Sequence, residues 1–493
     1  MSDSCSGKML TRRGFLKSLG VGIGLVATLP LLQACAGPQA AAPASTPAPD
    51  AAQPAEPTKA PEAAQAPEPT QAPKTEVKKV SLLVASGGAP ELEPDHPYLK
   101  DWIKPFMEKN PNVEVKYEGY GSDAEVKFLT QFIAGSAPNI WITTRWGTLG
   151  NVVALKGAIE LSDRVATWSD AKNIKESCMN VGKIKGVQYA LPWGDVCDAY
   201  VTRKSWYEQA CEKAGVDPAR GYDATWTFEE DFDKVMKAMS APDEKKWGLA
   251  SMGSAKANVA RWWFQCTTQA YGYDIVADDG GGNLVATFVN PGTIAVAKMY
   301  QRGVKEQFIP RDAATWDFDQ ASNAWYAGIV GTVIAGRWIK ANAIKNLKDD
   351  FVALAIPYST SRPKDSWYAG NLHIGFLTNS NKDKETEDAA WGLMSSMLST
   401  EVQTALTVSG LVPFPVRTDM DAVKIINEPY WTGMISSLKK KTPPPTFPSH
   451  ERLEEVYTEM AKAVGQLLAE PDSNPETVLS EAQKKAELLL TRK

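Results

Sequence analysis

Between Ala36 and Thr75 the chain holds 14 alanines and 10 prolines and no Phe, Trp, Tyr, Leu, Ile or Val. Ordering such a stretch would lose backbone entropy with no apolar burial to offset it, so it adds nothing to a core. A Pro-rich segment of this kind is extended, at up to ~3.1 Å per residue, and about 40 residues of it reach on the order of 100 Å. It divides the sequence into a leader, a tether and a remainder that must supply all the folded structure. That remainder, about 415 residues, exceeds what one hydrophobic core usually serves, so two lobes are expected.

The leader places Arg12, Arg13 and Lys17 ahead of an apolar run that ends at Cys35. Gly20, Gly22, Gly24 and Pro30 interrupt the run, which falls short of the ~20 apolar residues a membrane helix needs. A basic segment before a short apolar one is the pattern of an export signal, with an uncleaved anchor as the alternative. Arg12-Arg13 with Phe15, Leu16 and Lys17 resembles a twin-arginine signal, and Leu32-Gln33-Ala34-Cys35 resembles a bacterial lipobox, in which the cysteine carries lipid. The three glycines sketch a dinucleotide fingerprint, but no strand precedes them, so that reading falls. The expectation is a signal over 1–34 and a lipidated Cys35 with its tether over 35–75. The protein would be exported and lipid-anchored to the outer face of the cell membrane.

Without residues 1–34 the chain carries 49 basic and 57 acidic side chains, a formal charge of −8, which argues against a nucleic-acid partner. Cys178, Cys197, Cys211 and Cys266 remain as thiols that an exported protein could join in two disulfides by any of three pairings. His96, His373 and His450 are far apart in sequence, and no CxxC, GxSxG, HExxH or GxxxxGK[ST] occurs. A His-based metal site and a Ser-His-Asp triad are therefore unattractive, and no metal or cofactor is expected. Against this stand 16 tryptophans, all beyond the tether. A sugar's C–H face stacks on an aromatic ring while its hydroxyls need directional polar partners; the alternative is that most of these rings pack a core.

The folded part reads as alternating strands and helices. "VSLLVAS" (80–86) is a buried strand ended by Gly87-Gly88. Trp102, Ile103, Phe106 and Met107 fall at helical spacing around Pro105, and "NPNVEVKYEGY" is a turn and strand. Ser122 with Glu125 forms a capping box before a Val126, Leu129, Phe132, Ile133 stripe, with Gly135 at the helix end. "APNIWITT" is the next strand. Strand, helix, strand, helix, strand is an open α/β sheet. Downstream, Thr227 and Glu230 cap a helix, 328–336 and 351–357 are buried strands, and "ADDGGGN" (277–283) is a hairpin turn. Two helices close the chain, the second with Asn474 as cap and Pro475 first.

Five phrases, in order, resemble the extracellular solute-binding proteins of ABC transporters, the maltose-binding-like family: "FIAGSAPNIW", "GKIKGVQYALPW", "TWTFEEDFDKVMKAM", "WYAGIVGTVIAGRW" and "DAAWGLMSSMLSTEVQTALTVSGLVPFPVR". Asn139 stands where that family usually has aspartate. The resemblance covers the chain from about residue 77 to the end. It implies a two-lobed α/β periplasmic-binding-protein type II fold with hinge-crossing segments and a ligand cleft between the lobes. Lobe 1 would be 76–192 with 369–421, and lobe 2 193–368 with 422–493. It also implies a monomer that closes on a small-molecule ligand, most simply a sugar, and is read by an ABC permease with a separate ATPase.

Site positions follow from the same resemblance. Trp338 of the "GRW" phrase is where sugar-binding relatives stack a ring on ligand. The loop after "NIW" places Thr143, Thr144, Arg145 and Trp146 near the cleft, Arg145 with a planar fork suited to two hydroxyls or a carboxylate. Trp193 and Asp195 follow "YALP" at the lobe crossing, and Ser86 and Gly87 end the first strand. Trp262-Trp263 and Trp367-Tyr368 are further platforms, one ring of each pair facing ligand; Trp263 and Tyr368 are taken. Asp123, at a helix start, is assigned to capping. Beyond "PPPTFPSHER", where relatives often carry an aromatic residue, this chain has Arg452, Leu453 and Glu454, so Glu451 or Arg452 would meet a polar ligand. That leaves acidic sugars and non-sugar solutes open. Two further alternatives are a binding component that reports to a membrane sensor and a secreted glycan hydrolase with paired carboxylates; the family phrases and the absence of a catalytic signature set the hydrolase aside, so no enzymatic activity is expected.

Overall fold

The computed structural model describes residues 78–87, 92–121, 124–143, 146–195, 198–256, 260–279, 283–361, 372–439, 450 and 452–491, all within the unit Thr75–Lys493. The apolar run 80–86 forms a strand in a five-stranded sheet. Its order is Val113–Gly119, Val80–Ser86, Ile140–Thr143, Leu372–Leu377, Ala190–Asp195. The first three run parallel, and Leu372–Leu377 is antiparallel to both its neighbours. A second sheet has the order Val352–Leu354, Ala199–Thr202, Val330–Ala335, Trp247–Leu249.

Each sheet has its own core. The first gathers residues from Val80 to Trp193 and from Leu372 to Val416. The second gathers residues from Ala199 to Ile356, then Phe414 and the C-terminal helices. Trp102 and Trp141 are fully buried in the first, and Trp226, Trp263, Trp325 and Trp431 in the second. Much of the tryptophan content thus fills cores, where each ring removes a large apolar area from water. Trp193 belongs to the first core and Ala199 to the second, and Val412, Phe414 and Val416 alternate between them. Strand-like alternation of side chains makes one segment serve both lobes.

Local signals set several helix starts. Thr227 accepts a hydrogen bond from the Glu230 N–H, and Asn474 accepts from the N–H groups of Glu476 and Thr477. Residues 276–278 and 284–286 pair as a hairpin. The Ala124–Ala134 helix departs from expectation. Ser122 lies outside the described residues, so the expected capping box does too; the Glu125 carboxylate accepts from the hydroxyls of Thr143, at 2.6 Å, and Thr148. Val126 faces solvent, and Phe128 is the inward residue, stacked on Trp141 at 4.5 Å. A buried carboxylate needs hydrogen-bond partners, and the two hydroxyls hold Glu125 on the same inward side as Phe128.

Asn139 is a brace. Its Oδ1 accepts from the Leu83 N–H at 2.8 Å and its Nδ2 donates to Asn381, functions that an aspartate would only half fulfil. Among the described residues, Cys178, Cys211 and Cys266 are buried and are not joined to one another by a disulfide; Cys197 lies outside them. Burial pushes the Cys211 thiol up to about 11. Among the described residues no helix is long and apolar enough to cross a membrane.

Candidate functional site

In open α/β sheets the carboxyl ends of parallel strands leave room for ligand, because the loops there diverge. Along that edge of the first sheet Ser86, Thr143 and Asp195 end their strands. Ser86 Oγ and the Tyr117 hydroxyl are 2.5 Å apart. Tyr117 packs on Tyr98 at 5.8 Å, Tyr98 on Trp193 at 5.9 Å, and Trp193 on His373 at 4.4 Å. His96 joins the same wall against Tyr98. Burial lowers the His96 imidazole and raises the phenols of Tyr98 and Tyr117, which favours the uncharged form of these three groups. Trp193 is 5% exposed, and its indole N–H has no acceptor among the described residues. Asp195 is equally buried, with Lys175 Nζ 3.9 Å from its carboxylate.

The second sheet presents Asp198 and the Gly336–Trp338 turn at its corresponding edge. Gly336 is extended, so its lack of a side chain matters for space and not for backbone angle. A Cβ there would lie 1.9 Å from Trp338 Cζ3. The Trp338 ring folds onto that space and packs against Trp262 at 5.0 Å, the planes tilted by 32°, and Trp262 stacks in turn on Phe318 at 5.0 Å. Asp198 fixes Trp262 by accepting from its indole N–H at 3.1 Å, and also lies 3.1 Å from Cys266 Sγ. Trp263, the neighbour taken from sequence as the ligand platform, is 1% exposed in the second core. Successive helical residues point about 100° apart, so burying Trp263 turns Trp262 toward the column.

The two edges adjoin one crossing segment. Asp195 and Phe414 exchange both backbone hydrogen bonds at 2.9 Å. One residue earlier, the Pro413 carbonyl accepts from Arg337 Nη1 at 3.1 Å, and the same nitrogen donates to Thr407 O at 2.7 Å. Asp195 and the Trp338 turn are thereby tied to adjacent residues of the same crossing. Of the remaining positions drawn from sequence, Thr144, Arg145, Tyr368, Trp367, Asp123, Glu451 and Cys35 lie outside the described residues, as does the Trp146 side chain. Arg452 pairs with Glu455 on its own helix at 3.2 Å.

Tyr98, Tyr117, His373, Asp198 and Phe318 were not singled out from sequence. Their common signal is tertiary: each is ordinary until a partner more than a dozen residues away arrives. The arrangement offers indole faces, phenols, hydroxyls and buried carboxylates. Among the described residues no cluster of three or more His, Cys, Asp or Glu is placed to hold a metal ion.

A family model described as bacterial extracellular solute-binding protein matches residues 89–404. A Thermotoga lettingae ABC transporter solute-binding protein, bound with α-D-tagatose, superposes with a TM-score of 0.69 at 18% identity, covering 84% of this chain and 100% of that one. A Listeria monocytogenes ABC substrate-binding protein in complex with cycloalternan gives 0.67 at 16% identity, over 84% and 100%. A maltose-bound protein of T. maritima gives 0.66 at 17% identity, over 83% and 100%. At such identities the likeness is one of fold. No curated protein sequence matches the chain.

Proposed function

Since the chain belongs to the bacterial extracellular solute-binding family, matched over residues 89–404, we propose that it captures a sugar or oligosaccharide between two lobes and delivers it to an ABC permease. The observation that carries the sugar is the chemistry of the two sheet edges. One bears an uncharged wall of Tyr117, Tyr98 and Trp193; the other bears the Trp338–Trp262–Phe318 column. Aromatic faces with hydroxyl and carboxylate partners suit a neutral polyhydroxylated solute, and sugar-bound proteins of the same fold support the reading.

In this reading lobe 1 is 76–195 with 369–421 and lobe 2 is 196–368 with 422–493; the first boundary moves from the expected 192 because the strand Ala190–Asp195 belongs to the first sheet and Trp193 to the first core. Ser86, Thr144, Arg145, Trp146, Trp193, Asp195, Trp338 and Tyr368 border the cleft, with Trp262 in place of Trp263 because burial removes the latter. Binding leaves the solute chemically unchanged. The protein acts as a monomer, exported by a twin-arginine signal, lipidated at Cys35 and held to the membrane by the 36–75 tether. An ATPase on a separate polypeptide supplies the energy.

The purified chain is titrated with tagatose, ribitol, maltose and longer maltodextrins while Trp fluorescence is followed. A saturable change, with the sugar recovered intact, is expected. A response only to amines or organic acids overturns the sugar, and product formation overturns the binding role. Mass spectrometry of membrane-extracted protein is expected to find diacylglyceryl at Cys35, and Cys35→Ser is expected to release the protein from membranes.

A further inference from the structure

We infer that Arg337 is a positioning residue that clamps the Trp338 turn of the second lobe to the first lobe and thereby sets how far the lobes open. The guanidinium is fully buried. Its Nη1 donates to Thr407 O and Pro413 O, and Lys340, on the other side of Trp338, donates to Val408 O at 3.2 Å. Thr407 and Val408 lie in the last turn of the ten-residue helix Thr400–Ser409, which contributes Val402 and Leu406 to the first core. Arg337 and Lys340 flank Ile339, which belongs to the second core. Terminal carbonyls of a helix have no helical partner and carry the negative end of its dipole. Two cations from one lobe therefore cap a helix of the other.

The clamp is balanced and yet has donors to spare. Glu428 receives Lys340 at Oε1 and the Trp431 indole N–H at Oε2, the latter at 2.8 Å. Its Oε2 stands 3.9 Å from Arg337 Nη2, beyond hydrogen-bond reach. Arg337 Nε and Nη2 have no acceptor among the described residues. A lobe movement that draws Thr407 and Pro413 away would leave this buried cation with no hydrogen bond among its present ones, which a low-dielectric site penalises. The observed approach is further crowded at Gly410, where φ is +89° and a Cβ would stand 2.9 Å from the Arg337 carbonyl. Gly336, Arg337 and Trp338 are consecutive, so displacing the Trp338 ring moves the clamp itself.

This inference concerns how the lobes are held, whatever the solute, and its test uses none. In the full chain, ketone-bearing residues replace exposed Leu155, beside the first core, and exposed Leu488, on a helix of the second. Paramagnetic labels on the ketones spare the native cysteines. Interlobe distance distributions are then compared for the labelled parent, Arg337→Met and Arg337→Lys. Arg337→Met is expected to add a longer-distance population, and Arg337→Lys to fall between, because an ammonium meets fewer directional acceptors than the planar fork. A role in packing alone would lower the melting temperature and leave the distances unmoved. A folded Arg337→Met with the parent's distribution overturns the clamp. Should that variant not fold, an unchanged distribution for Arg337→Lys overturns it and a widened one supports it.

Discussion

Asp195 and Phe414 face each other across the lobe crossing and exchange two backbone hydrogen bonds of 2.9 Å. Phe414 sends its ring into the second core, while Val412 and Val416 on either side point into the first. The pair is a point where the end of one sheet, the passage 412–416 and both cores coincide. Truncating the ring removes the second core's hold on that passage. Phe414→Ala is expected to cost about 3–5 kcal/mol of stability, read by denaturant unfolding. Its solute affinity is expected to fall further than that of Trp325→Ala, a core truncation remote from the crossing. Equal losses would mean that Phe414 acts through stability alone.

Gly336 offers a cleaner steric test. Its backbone is extended, an arrangement alanine adopts freely, so a substitution acts through the methyl group. That methyl would meet Trp338 at 1.9 Å, and overpacking of this kind costs roughly 1–3 kcal/mol where it is not relieved by movement. Here the indole is only partly buried and moves instead. Gly336→Ala is expected to shift Trp fluorescence and weaken solute binding while lowering the melting temperature little. A variant with parental affinity would take Trp338 out of the site.

The neighbours Trp262 and Trp263 should separate by phenotype. Trp263 is core, and Trp263→Ala is expected to lose about 3–5 kcal/mol of stability. Trp262 lies between Trp338 and Phe318 and is held by Asp198. Trp262→Ala is expected to weaken solute binding by about 1–3 kcal/mol, the range of base–aromatic stacking, at smaller cost in stability. Calorimetric titration beside thermal melts reads both. The reverse pattern would restore Trp263 as the platform.

What was legible in the sequence was local. The 80–86 run, the Thr227 cap and the Asn474 cap depend on residues within four positions, and each forms where its pattern lies. The five phrases located the family's fold and drew attention to Trp338. Its neighbour Arg337 passed unnoticed, because an arginine in a phrase says nothing of a carbonyl 70 or 76 residues away. The choice between Trp262 and Trp263 was hidden for the same reason: helical geometry separates the two rings, but only packing decides which is inside. The stripe beginning at Val126 misled in the opposite sense, since Val126 faces solvent and Phe128 turns inward against Trp141.

The acid limb of stability should be traceable to Arg417. Its guanidinium, 3% exposed, binds Asp419 through Nε and Nη2, Asp170 through Nη1 and Nη2, and the Leu398 carbonyl. Hydrogen bonds from Arg417 hold the carboxyls of Asp170 and Asp419 below the usual carboxylate range. Such groups bind fewer protons folded than unfolded, so their stabilisation is complete above the unfolded value of about 3.9 and is lost as pH falls through the lower folded values. Both carboxylates are partly solvated, so the effect is modest and salt-sensitive. Arg417→Met is expected to be less stable than the parent by a constant amount at pH 6–8, and the gap is expected to narrow below about pH 4. Denaturant midpoints measured across pH 2.5–8 decide it, since a gap independent of pH would leave the two aspartates without a part in acid unfolding.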